Sequence, residues 1–165
     1  MIRRRPRSTL FPYTTLFRYA RFIAEVQYIQ PEDSQYGNQM DNVSWRELTL
    51  GTFAGGSWDL DLQGETAVSD PAIFAWEAET GAHIDTIDIA DEGRFHIGSQ
   101  ATQLSPGIWR YDYVLYNQNF ARGLESLELP LNAGVTIWND TFHAPHHHSG
   151  DPQTNSPWEI GRAHV

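Results

Sequence analysis

Residues 109–117 read WRYDYVLYN, with Trp109, Tyr111, Tyr113 and Leu115 at alternate positions. Successive side chains of an extended strand point to opposite faces, so this spacing gathers four large apolar groups on one side of a strand and on no single face of a helix. The same period of two recurs through residues 21–29 (RFIAEVQYI), 43–50 (VSWRELTL), 58–62 (WDLDL), 83–89 (HIDTIDI) and 94–100 (RFHIGSQ), the last running on to Leu104. Leu124, Leu127 and Leu129 suggest a further strand, and Val135, Ile137 and Asn139 a last one. Turn signals separate these runs: GTFAGGS at 51–57, Ala90-Asp91-Glu92-Gly93, and Pro106-Gly107. About seven or eight short strands at such intervals predict an all-β fold, an antiparallel β-sandwich of immunoglobulin-like or jelly-roll-like type.

One segment departs from the pattern. In residues 69–78 (SDPAIFAWEA) a capping residue precedes Pro71 at the first helical position, Ile73 and Trp76 share a face, and Gly81 stops the run. This predicts one short helix near residues 71–78. The segment PEDSQYGNQMDN, residues 31–42, reads as a polar loop.

The two ends do not share the character of the middle. Residues 1–18 resemble a translated sequencing-library adapter at every position but one, Arg5 standing where the adapter encodes Pro, a difference of one base. Residues 160–165 (IGRAHV) resemble the opposite adapter, which continues into a stop codon. The expectation is that both ends are adapter artefacts around a native segment, residues 19–159, that forms one β-sandwich domain fragment of a larger protein. Six of the eleven Arg lie in the ends, whereas all 21 Asp and Glu lie between them, so the middle segment carries 5 positive against 21 negative charges, a net of −16 rather than −10, with no Lys. Such a balance opposes nucleic-acid binding and anionic membrane surfaces, both of which need cationic contacts. There is no Cys, hence no disulfide or thiol chemistry, and no apolar run of membrane-spanning length.

Three groups of residues could carry function. His143, His148 and Asp151 lie in the loop FHAPHHHSGD that follows the last expected strand, and imidazoles with a carboxylate suit a divalent metal, zinc or calcium. The carboxylates Asp59, Asp61, Asp85, Asp88, Asp91 and Glu92 have no calcium-loop spacing and read as a solvated face, with Leu60 and Leu62 turned to the core. Of the aromatics, those on alternating strands read as core, while Trp138 and Trp158 are the candidates for exposed ligand-binding rings. No nucleophile elbow, phosphate loop or dinucleotide fingerprint is present.

Several ordered motifs carry a resemblance. They are Ala24-Glu25-Val26-Gln27-Tyr28-Ile29 with Pro31-Glu32-Asp33, Gly37-Asn38 and Asn42-Val43-Ser44-Trp45-Arg46; residues 71–76 (PAIFAW); Gly93-Arg94-Phe95; residues 107–119 (GIWRYDYVLYNQN); and residues 133–158 with His148-Ser149-Gly150-Asp151. Together they resemble the C-terminal region of a family of uncharacterised secreted bacterial β-sandwich proteins, from which the chain departs at His146 and His147. The resemblance implies a secreted or cell-surface setting and packing against the rest of a longer parent chain, and it implies no particular activity. Three functions stay open. One is a non-enzymatic extracellular module for adhesion, assembly or packing on a missing N-terminal part. Another is a metal-binding module or metal-dependent hydrolase using the 143–151 loop. The third is a carbohydrate-binding module. Besides the rest of the parent chain, the partner would be a glycan or a surface protein.

Overall fold

The computed structural model describes residues 20–28, 30–120, 124–143 and 161. The two adapter-like ends, Gly161 apart, lie outside the described residues, as do His148, Asp151 and Trp158. The chain divides into two units, Met1–Ala121 and Arg122–Val165, and every described strand and helix belongs to the first.

The first unit is mostly antiparallel β, in two sheets. One sheet contains β1 (Phe22–Gln27), β2 (Val43–Ala54), β3 (Ser57–Leu62) and the short β4 (Ala67–Val68); β2 is central, with β1 on one side and β3 and β4 on the other. The other contains β5 (His83–Ile89), β6 (Gly93–Ser105) and β7 (Ile108–Asn117) in that order. Six runs read from period-two alternation are strands in the fold, and the turn at Pro106-Gly107 joins β6 to β7 through a Ser105–Ile108 pair. Among the described residues no helix is long and apolar enough to cross a membrane.

Four local features differ from the sequence reading. Residues 51–54 are not a loop: β2 continues to Ala54 through a bulge between Leu50 and Phe53, and the chain reverses only at Gly55-Gly56. Residues 31–35 form a short helix, α1 (Pro31–Gln35), where a loop was expected. Proline at its first position and Glu32 and Asp33 in its first turn suit a helix start, where the amide dipoles favour negative charge. The second helix, α2 (Ile73–Thr80), begins two residues later than expected, because Pro71 and Ala72 form a tighter preceding turn with Phe74 N–H bonded to the Pro71 carbonyl at 3.0 Å. Finally, residues 124–143 hold no strand. Pro130 withdraws a ladder donor, a turn at Ala133-Gly134 follows, and Asn139 takes a left-handed backbone with φ 57°.

The end of α2 is as read, with Gly81 N–H closing on the Glu77 carbonyl at 2.8 Å. Its start is capped from a distance. No side chain of the preceding turn caps it; the Asp70 carboxylate instead accepts the Trp45 indole N–H at 3.0 Å. The Ala72 N–H donates to Glu25 Oε2 of β1 at 2.7 Å, while Glu25 Oε1 accepts the Tyr116 hydroxyl of β7 at 2.8 Å. One carboxylate thus ties the first sheet, the helix and the second sheet together.

The core draws on both sheets and α2, and one member, Phe95, is buried on the face of the second sheet away from α2. Val43, Leu48, Ile73, Ala75, Ala82 and Phe95 are buried, and His96 and Gln118 are buried with them. Phe74 meets the His96 ring edge-on at a centroid distance of 5.4 Å, and the Tyr116 ring lies 5.7 Å from it, tilted. His96 is 1% exposed, so both ring nitrogens need partners within the protein. Gln118 uses its amide N–H on the Met40 carbonyl at 3.0 Å, leaving Oε1 to accept from His96 Nε2 at 2.9 Å. His96 Nδ1 then accepts from the Thr86 hydroxyl at 3.0 Å. Gln27 of β1 donates to the Gln118 backbone carbonyl at 2.9 Å, and Asn119 reaches the Gln39 carbonyl at 3.0 Å. Side chains on β1 and β6 and just after β7 thereby fasten both sheets and the 39–42 segment to one buried junction.

Two glycines permit the close packing around it. A Cβ on Gly98 would fall 2.6 Å from the Trp76 ring and 2.9 Å from Ile84, so the indole of α2 lies directly on the bare β6 backbone. Gly93, at φ +133°, would place a Cβ 2.6 Å from the Asn119 carbonyl oxygen. Gly98→Ala is expected to lower stability by about 1–3 kcal/mol through overpacking. Gly93→Ala should cost at least as much, because the opposing atoms are backbone and the φ is strained. Gln118→Leu should cost about 1–3 kcal/mol by leaving the His96 N–H and the Met40 carbonyl without partners. Urea-unfolding midpoints measure all three.

Candidate functional site

The two faces of the second sheet differ in what covers them. Strand register pairs His96 with Thr86 and Tyr116, and Gly98 with Ile84 and Val114, so these residues share the face on which α2 packs. Arg94, paired with Asp88, and Arg110, paired with Thr102, fall on that same face. The opposite face carries rows crossing all three strands: His83–Ser99–Tyr113, then Asp85–Ile97–Leu115, then Ile87–Phe95–Asn117. Beyond the start of β5 the row Ala101–Tyr111 and then Gln103–Trp109 continue it on β6 and β7 alone.

The alternation in β7 therefore does place Trp109, Tyr111, Tyr113 and Leu115 on one face. The expectation that these rings form core is not met: Trp109 is 46% exposed, Tyr111 59% and Tyr113 40%. Alternate residues of a strand are roughly 7 Å apart, so the three rings form a ladder along one face. Trp58 is also exposed and pairs with Phe53 at 5.1 Å on the β2–β3 hairpin. Leu60 and Leu62, expected to turn inward, are exposed as well, because no element of the first unit lies over that part of β3 among the described residues. Trp45 and Trp76 are half-buried and structural, one bonded to Asp70 and the other laid on Gly98.

A groove of about 470 Å³ lies near the start of β5, lined by Tyr111, Tyr113, Ser99, Ala101 and His83 of the aromatic face and, from the other side, by Gln100 and the Thr80-Gly81 end of α2. That size lies within the usual range for small-ligand sites. His83 Nε2 is 3.1 Å from Asp85 Oδ1, both side chains being largely exposed. Gln100 is oriented by donating its amide N–H to the Thr80 carbonyl at 2.9 Å, which leaves its Oε1 for other donors. The hydroxyls of Ser99, Tyr111 and Tyr113 make no side-chain hydrogen bond among the described residues. Two aromatic rings thus stand beside a fringe of hydroxyl, amide and imidazole groups. Alternation in β7 flagged the rings, but the part played by His83 and Ser99 follows from cross-strand register, and that of Gln100 from its bond to Thr80, which no local pattern reveals.

Of the aromatic candidates singled out from the sequence, Trp138 is 55% exposed and Trp158 lies outside the described residues. His143 is exposed, and its companions His148 and Asp151 lie outside the described residues. Among the described residues no three His, Asp or Glu side chains gather in a way that could hold a metal ion. Comparison with protein families, curated proteins and solved structures finds no match to the chain.

The charged pairs lie elsewhere. Arg94 binds Asp88 through two bonds of 2.6 and 2.9 Å, and these hold the Asp88 carboxyl below the usual carboxylate range. Arg21 does the same for Glu47 at 2.7 and 3.0 Å, and also pairs with Glu79 of α2. The Tyr116 phenol is pushed up, first by burial and then by its bond to Glu25. A carboxyl lowered on folding stabilises the fold above its unfolded value, and that contribution disappears as pH falls through the folded one. Asp88 is more than half exposed, so its share is under about 1 kcal/mol. Asp88→Asn should accordingly narrow the gap between urea midpoints measured at about pH 7 and about pH 3 by no more than that amount.

Proposed function

We propose that residues 19–159 form a non-enzymatic β-sandwich module of a secreted or cell-surface protein, and that its role is recognition. The observation that carries this reading is the exposed ladder of Trp109, Tyr111 and Tyr113 on one sheet face. Large rings cost free energy when left in water, and a face rimmed by polar groups and lined by aromatics is typical of interaction sites. The two antiparallel sheets joined through one buried junction support the sandwich reading, and the acidic charge balance supports a partner that is neither nucleic acid nor anionic membrane. The module would attach its parent chain to a surface or to a neighbouring part of itself, the adapter-like ends taking no part.

Co-sedimentation of the full chain with insoluble bacterial envelope material tests this. The chain should be retained, and Trp109→Ala should weaken retention by about tenfold, the scale of losing roughly 1.4 kcal/mol of ring contact. The substitution should leave the urea midpoint within about 0.5 kcal/mol of the parent, since the ring is exposed. Equal retention of parent and variant would remove the ladder as the recognition element.

A further inference from the structure

We propose that the groove beside Tyr111 and Tyr113 is a carbohydrate subsite that takes an uncharged glycan chain. This rests on the recognition reading above and names its ligand class. Sugar rings present two chemistries at once: C–H faces that stack on aromatic rings, and hydroxyls that both donate and accept hydrogen bonds. The groove offers both. Tyr111 and Tyr113 stand at alternate positions of β7 on the same face, with the small Ala101 beside Tyr111 and Ser99 beside Tyr113 in the cross-strand rows. No bulky neighbour in those rows covers the rings. Around them are the Ser99 and tyrosine hydroxyls, the Gln100 carbonyl oxygen and the His83 imidazole, which together can donate and accept.

Charge decides between an uncharged and an acidic glycan. Both arginines of the second sheet, Arg94 and Arg110, lie on its other face by strand register, and each is already paired, with Asp88 and with Asp112. The aromatic face carries Asp85 beside His83, within a chain of net charge −10. A uronate or sulfated chain would meet a carboxylate there and, among the described residues, no arginine. A neutral glucan, xylan or mannan meets hydroxyl and amide partners without that repulsion.

Isothermal titration of the full chain with cello-, xylo- and manno-hexaose, and with polygalacturonate, tests the assignment. At least one neutral hexaose should bind, and polygalacturonate should not. Tyr111→Ala and Tyr113→Ala should each weaken binding by about tenfold, whereas Tyr111→Phe, which keeps the ring, should stay within about threefold. The phenylalanine variant separates loss of stacking from loss of fold. Silence with every neutral hexaose overturns the inference, as does tighter binding of polygalacturonate or an alanine variant that binds like the parent. Silence together with Tyr111 and Tyr113 resisting tetranitromethane nitration would show the groove covered by the chain itself, and overturns it too. Envelope retention that persists while all hexaoses fail would leave the recognition reading standing and remove only the glycan.

Discussion

A buried imidazole with two ring nitrogens leaves little freedom in how its surroundings are arranged. His96 needs an acceptor at one nitrogen and a donor at the other, and the fold supplies them from Gln118, twenty-two residues on, and from Thr86 on the adjacent strand. Gln118 can face His96 only because its other end is held by the Met40 carbonyl, and its own backbone carbonyl is held by Gln27. The 39–42 segment, β1 and the end of β7 are thus bound to one polar point. Apolar burial alone would not fix these relations, since it is non-directional, whereas each hydrogen bond carries a direction. The Glu25 carboxylate repeats the device, joining the Ala72 amide at the start of α2 to the Tyr116 hydroxyl.

How much of this was legible in the sequence depends on the range of the interaction. Alternation is a local property, so β1, β5 and β7 could be read within a residue or two of their ends, and so could the turn at Pro106-Gly107. The helix start differs from the reading because Pro71 and Ala72 take a tighter turn, and the Ala72 amide in it is held by Glu25, forty-seven residues earlier and outside any pattern within residues 69–78. Leu124, Leu127 and Leu129 have strand-like spacing, but Pro130 and the Gly134 turn interrupt any ladder they would join. His96 sits inside the strand run RFHIGSQ with nothing to distinguish it from a solvated histidine.

The aromatic face shows a deeper limit. Period two states that two faces of a strand differ; it says nothing about whether another layer covers the apolar one. Trp109, Tyr111 and Tyr113 have the spacing of a core and the exposure of a surface. The acidic charge count was legible, but its distribution was not. The four described arginines, Arg21, Arg46, Arg94 and Arg110, are each engaged with carboxylates or carbonyls.

The two halves of β7 sit in different company. From Tyr113 to Asn117 it belongs to a sheet of three strands, but β5 begins only at His83, opposite Ser99, and from Ile108 to Asp112 β6 alone accompanies it. Two-stranded ribbons twist more strongly than wider sheets. Trp109 and Tyr111 ride on the ribbon and Tyr113 on the sheet, so successive rings are turned relative to one another like the treads of a spiral stair. A rigid planar surface can press on one tread at a time. A single supple strand of polymer can climb all three, turning as it goes.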